Sequence, residues 1–256
     1  MLQAHSFLWN YLWVAPNLFL IALGVLMWRR GLSRQVPYLV ALALVMPTMD
    51  LVRFVLDIAP WASADTFWIA GWVAIIVESL LKFLVIGEAF SRDLQLYPSL
   101  AWLGKRLISG FGAILVLLAA LAAAFSQDPS QTRLVAGFHI LAQTEYIIQF
   151  GLTVFVFLFV AHFRLTWDRL SFGILQGFGL ASCVDLASWA ILANTNLSQH
   201  GRTLLDFLGF ATFHCYVLLW YYYVLVPGKV APRVAALVPE HNLELWNREL
   251  ERLLQQ

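Results

Sequence analysis

Charge is scarce in this chain. Of 256 residues, 12% are charged and 61% are hydrophobic, where soluble domains carry roughly 25% charged residues. A chain this short of charge cannot cover its own surface in water, so lipid must be its main solvent. Net charge is nearly absent too, at +1. There is no basic cluster with interleaved aromatics, which excludes a general nucleic-acid role. Cysteine is limited to Cys183 and Cys215, both in apolar runs and without metal-ligand spacing, so they read as small buried hydrophobes. The N-terminal MLQAHSFLWNYLW has no basic residue ahead of its apolar segment. It does not read as a removed signal peptide, and the first apolar segment is expected to stay as a membrane helix.

Long apolar runs, by contrast, are abundant. A bilayer core of about 30 Å needs roughly 20 apolar residues per helix. Seven runs qualify: 9–28, 36–58, 66–90, 104–125, 134–163, 168–193 and 204–226. The expected fold is therefore all-α, a polytopic membrane protein of seven transmembrane helices spanning residues 1–227. A tail over 228–256 follows. With seven spans, Arg29, Arg30, Arg34, Arg92, Lys105, Arg106, Arg164, Arg169, Lys229, Arg233, Arg248 and Arg252 all fall on one side. Only Arg133 and Arg202 fall on the other. This positive-inside bias predicts an N-terminus outside and a C-terminus in the cytoplasm. Trp9, Trp13, Trp61, Trp68 and Trp189 near the outer ends, and Trp28, Trp102, Trp167 and the Trp220–Tyr223 run near the inner ends, fit interfacial belts.

Within the spans stand groups that lipid disfavours by about 2.5–3.5 kcal/mol each on insertion scales. They are Asp50 and Arg53, Glu78 and Lys82, His139 and Glu145, Asp185, and Asp206 with His214. Glu78 and Lys82 share a helix face at i, i+4, and Asp50 and Arg53 do so at i, i+3, with Asp57 as a second partner for Arg53. Asp50, Glu78, Glu145 and Asp185 still outnumber Arg53 and Lys82, and a proton, a histidine or a ligand must balance them. At about 1.5 Å of rise per residue, Arg53, His139, Asp185 and Asp206 lie in the outer half. Asp50, Glu78, Glu145 and His214 lie nearer the midplane, and Lys82 lies deeper, which describes a funnel. The expectation is one polar network of Asp50, Arg53, Glu78, Lys82, His139, Glu145, Asp185 and His214. It reads either as a site for a ligand, ion or proton or as a structural network fixing helix register. A haem held by His139 and His214 is a further alternative. Gly173, Gly177, Ala181 and Asp185 recur every four residues, a small-residue stripe that admits a neighbouring helix closely.

The tail PEHNLELWNRELERLLQQ places Leu243, Trp246, Leu250, Leu253 and Leu254 on one helical face. An amphipathic cytoplasmic helix is expected there, lying on the bilayer surface or docking to a protein partner.

Seven spans invite comparison with rhodopsins, but the seventh run has no lysine for a retinal Schiff base. The stretch HFRLTWDRLSFGILQGFGLASCVDLA, residues 162–187, together with GEAFSRDLQLYPSL, residues 87–100, resembles a group of bacterial seven-helix integral membrane proteins. That group is similar in layout to the seven-helix sensory modules that precede kinases and cyclases. The resemblance implies topology, and the leading expectation beside it is a bacterial inner-membrane protein of the sensory or ligand-binding kind that acts through a partner. It implies no catalytic residues, and no output domain is expected after the seventh span. A structural or assembly subunit of a larger membrane complex is the main alternative, and an intramembrane enzyme the third.

Overall fold

A computed structural model describes residues 6–95, 97, 102, 104–114, 117, 133–194 and 198–226. The described residues are helical or in turns, with no strand among them. Six long helices are α1 (Phe7–Arg29), α2 (Pro37–Ile58), α3 (Ala64–Asp93), α5 (Arg133–His162), α6 (Arg169–Asn194) and α7 (Gln199–Leu225). Residues 104–114 are also helical and are designated α4. Each of the six is long and apolar enough to cross a membrane. The fourth expected span, 104–125, is described at 104–114 and 117, and the tail with Leu243, Trp246, Leu250, Leu253 and Leu254 lies outside the described residues.

Local chemistry explains the ends. Ser6 and Ser63 cap α1 and α3, accepting hydrogen bonds from the Trp9 and Thr66 amides, which would otherwise lack partners. The first helix stops at Gly31, whose φ of 72° is left-handed and suited to a residue without Cβ. Pro37 opens α2, where its missing N–H costs nothing. No side chain of α2 caps that end. The Glu88 carboxylate of α3 does so instead, accepting from the Tyr38 and Leu39 amides at 3.4 and 3.3 Å.

Pro16 and Pro47 lie inside α1 and α2 and weaken the hydrogen-bond ladder there. In each case the next residue donates to the carbonyl four back. Asn17 Nδ2 reaches Trp13 O at 2.8 Å, and Thr48 Oγ1 reaches Leu44 O at 2.6 Å. Such side-chain donors are how membrane helices tolerate proline.

The helices close into a ring in the order α1, α2, α3, α5, α6, α7 and back to α1, with α3 also crossing to α6. Segment α4 stands beside α3 and α5: the Phe111 and Phe155 rings stack at 5.0 Å. The core is continuous and apolar, with Leu23, Leu42, Phe90, Val156, Leu175 and Trp220 almost wholly buried. Outward faces are equally apolar, with Val52, Leu80, Leu158, Leu180 and Leu218 exposed. A surface of that kind suits lipid contact. The six spans and their apolar exterior make this a multi-pass membrane protein.

The two ends of the ring differ. At the end bearing Arg30, Arg92 and Arg169, side chains tie helix to helix. Arg30 Nη1 donates to Val224 O at 3.3 Å, and Tyr221 Oη donates to Phe19 O at 2.7 Å. Tyr223 Oη donates to Gln176 Oε1 at 3.2 Å. Toward the opposite end aromatic rings pack helix on helix, as with Trp9 against Phe210 and Trp13 against Phe54, and the cavity lies on that side of the bundle.

Candidate functional site

Glu78 and Lys82 lie one helical turn apart on α3, and the ammonium reaches back to Glu78 Oε1 at 2.6 Å. It also reaches across to Glu145 Oε1 on α5 at 2.7 Å. One cation therefore bridges two acids. Lys82 and Glu145 are 9% and 7% exposed, so each needs the other: an isolated charge at that depth would be strongly disfavoured. On α2, Arg53 Nη1 lies 3.7 Å from Asp50 Oδ1. Its guanidinium also stands 5.4 Å from the Phe67 ring centre on α3, a cation–π distance.

These groups surround a cavity of about 190 Å³ between α2, α3, α5, α6 and α7. Asp50, Arg53, Glu78, Lys82 and Asp185 line it. Asp185 feels the charges of Lys82, Glu145 and Glu78, yet among the described residues it makes no hydrogen bond or ion pair. The helix packing explains how the cavity forms. Along the small-residue stripe of α6, Gly177 and Gly173 are covered by the Trp220 and Tyr223 side chains of α7. One and two turns further along α6, Ala181 and Asp185 line open space. There α7 presents Thr212 and Gly209, and no heavy atom lies within 4 Å of a Cβ built on Gly209. The stripe is thus a packing seam at one end and a cavity wall at the other.

The remaining expected members are placed differently. His214 does not line the cavity. Its ring faces α1, 5.5 Å from the Phe19 ring and 6.2 Å from that of Tyr11. A helix of this kind presents a new face every 100°, and position 214 falls on the face toward α1 rather than with Phe213 and Tyr216. This separates His214 from the expected network. Asp206 is exposed on α7. His139 lies on α5 at a position whose side chain is outside the described residues, and the haem pairing of His139 with His214 falls there with it.

The cavity has members that charge alone did not reveal: Tyr146, Gln149, Phe178, Phe213 and Tyr216. Gln149 is 4% exposed. Its Nε2 donates to Phe178 O at 3.0 Å, while its Oε1 is buried without a partner. A signal for Gln149 does exist in the sequence. Glu145, Gln149 and Thr153 are spaced by four, a polar stripe on one face of an otherwise apolar helix. The aromatics carry no such signal, because Phe and Tyr are ordinary in membrane helices.

A second polar cluster joins α3 to α6 at the basic end. Arg92 Nε meets Asp168 Oδ2 at 3.2 Å and Arg92 Nη1 donates to Gln35 O at 3.4 Å. The Asp168 amide donates to Asp93 Oδ1 at 2.8 Å, and Ser171 Oγ donates to Ala89 O at 3.1 Å. The turn before it holds Arg164 at φ 51°, a left-handed position that glycine usually takes. Here Arg92 and Asp168 act as a clasp.

The arrangement can hold a small charged molecule. Acids and bases stand close in a low-dielectric setting, aromatic rings flank them, and an acceptor is left over. Among the described residues no group of three or more His, Cys, Asp or Glu side chains converges on a metal position. Compared with known proteins, the chain matches no family model, no curated protein and no solved structure, so the reading of this site rests on its own geometry.

Proposed function

We propose that this is a seven-helix protein of the bacterial inner membrane, with its N-terminus outside and its C-terminus cytoplasmic. In this reading it binds a small polar ligand or ion in the cavity between α2, α3, α5, α6 and α7, and passes the signal to a partner. One observation carries the reading. A membrane-embedded space of about 190 Å³ is lined by ionisable side chains of which Asp185 has no partner among the described residues. Ionisable groups at membrane depth ordinarily mark substrate or ion sites, and concave spaces with a few convergent polar groups are where small ligands bind. The basic residues at the clasped end support the orientation.

Native mass spectrometry of the protein released from its own membrane tests this. The expected result is a small-molecule adduct on the wild type that is missing from Gly209→Leu, a variant that fills the cavity without touching a charge. No adduct on either protein, with other membrane subunits retained, would favour the structural reading. That second reading has its own support in the triad: Lys82 is already balanced by Glu78 and Glu145, as a network serving helix register would be. The triad does not account for Asp185.

A further inference from the structure

We infer that the ligand of this cavity is a small organic ammonium ion, one or two positive nitrogens on a short apolar frame. The inference rests on the ligand-binding role proposed above and names the class of ligand. It begins from the cavity's formal charge. Lys82 is shared by Glu78 and Glu145, Arg53 lies against Asp50, and Asp185 feels Lys82 but forms no ion pair among the described residues. Asp50, Glu78 and Asp185 line the space with Arg53 and Lys82, and Glu145 pairs with Lys82 beside it; counted as ionised, four carboxylates outnumber two bases, and a net negative site away from water calls for added positive charge.

Hydrogen bonding points the same way. Gln149 is 4% exposed, lines the cavity and has an Oε1 without a donor. With the Asp185 carboxylate, that leaves two acceptors on the cavity wall that no donor meets among the described residues, and an ammonium brings donors and charge together.

The walls then select among cations. Phe178, Phe213, Tyr146 and Tyr216 line the same space. Aromatic faces attract organic cations and gain most when the cation is desolvated. A hydrated inorganic ion would instead need several converging oxygens, and the described acids do not converge in threes. The volume, about 190 Å³, is below the roughly 300–1,000 Å³ of drug-sized pockets, so only a frame of a few carbons fits.

The test uses the full-length protein in mild detergent, with thermal unfolding read at increasing probe concentration. The probes are butylammonium, 1,4-diammoniobutane and tetramethylammonium. Butanol, butyrate and sodium chloride at matched ionic strength are the comparisons. A saturable rise in Tm with at least one ammonium, absent with all three comparisons, supports the inference. In that case Asp185→Asn raises the half-saturating concentration at least tenfold, and Gly209→Leu, which removes no charged group and whose own unfolding transition is read in the same scan, abolishes the shift. A saturable shift with butanol or butyrate and none with the ammoniums overturns the inference and leaves the ligand-binding role standing. An equal shift with sodium chloride assigns the site to inorganic cations and also overturns it. If no compound shifts Tm in the wild type, and stability changes only with acidification, both the inference and the ligand-binding role fail.

Discussion

Lys82 is the residue on which the interior charges depend. It bridges Glu78 and Glu145 at 2.6 and 2.7 Å, so removing it leaves two carboxylates without their cation. Lys82→Met should therefore lower stability by about 3 kcal/mol or more, the range for breaking a buried pair. Lys82→Met combined with Glu145→Gln should recover part of that loss, because one of the orphaned charges disappears. Reversible unfolding in detergent measures both, and a double variant no more stable than the single one would show that Glu145 does not depend on the lysine. Much of this was legible in the sequence. Asp50, Glu78, Lys82 and Asp185 stand out because membrane interiors exclude charge, and their spacing puts each pair on one face. What the spacing could not give was the partner across the bundle. Nothing in the sequence couples Lys82 to Glu145, 63 positions away, and the direction of His214 depends on where α1 packs. Arg92 reads as a loop charge and nothing in the sequence marks Asp168, yet the two clasp α3 to α6.

On α6, glycine sets how closely α7 can approach. A Cβ on Gly177 would collide with the Trp220 indole, and one on Gly173 with the Tyr223 ring. Nothing lies within 4 Å of the same position on Gly87 in α3. Gly177→Ala should thus destabilise the protein by on the order of 1–3 kcal/mol, as overpacking does. Gly87→Ala should be neutral or stabilise by up to about 1 kcal/mol through the lower entropy cost of alanine. Thermal unfolding of the two variants side by side checks the contrast, and equal effects would mean that the α6–α7 seam is loose. Helix positions were the most readable feature, since apolar runs of membrane length leave few choices. The expected 36–58 and 168–193 correspond to Pro37–Ile58 and Arg169–Asn194 within one residue. The expected 66–90 falls inside Ala64–Asp93, because Ser63 caps two residues early and the polar last turn, with Arg92 and Asp93, stays helical. The last helix begins at Gln199 rather than 204 for a similar reason: hydropathy does not register a polar first turn.

The whole ring has two unlike ends, and topology can be tested on them. Ser33 lies at the clasped, basic end and Ser198 at the other. In a background with Cys183 and Cys215 changed to serine, Ser198→Cys should react in intact cells with a membrane-impermeant thiol reagent, while Ser33→Cys should react only after permeabilisation. The reverse pattern would invert the proposed orientation. The clasp has a further consequence, for the order in which the protein opens. Amide protons near Ala89 and Ser171 sit under the Arg92–Asp168 pair, the Ser171–Ala89 bond and the Glu88 cap, so their exchange with solvent waits for unfolding of the whole bundle. Those near Asp50, Asp185 and Gly209 border the cavity and can exchange through partial openings that leave the clasp intact. A guest held between α2 and α6 would slow exchange at that end alone, adding ties across the cavity like those that Arg92 and Asp168 make at the other end.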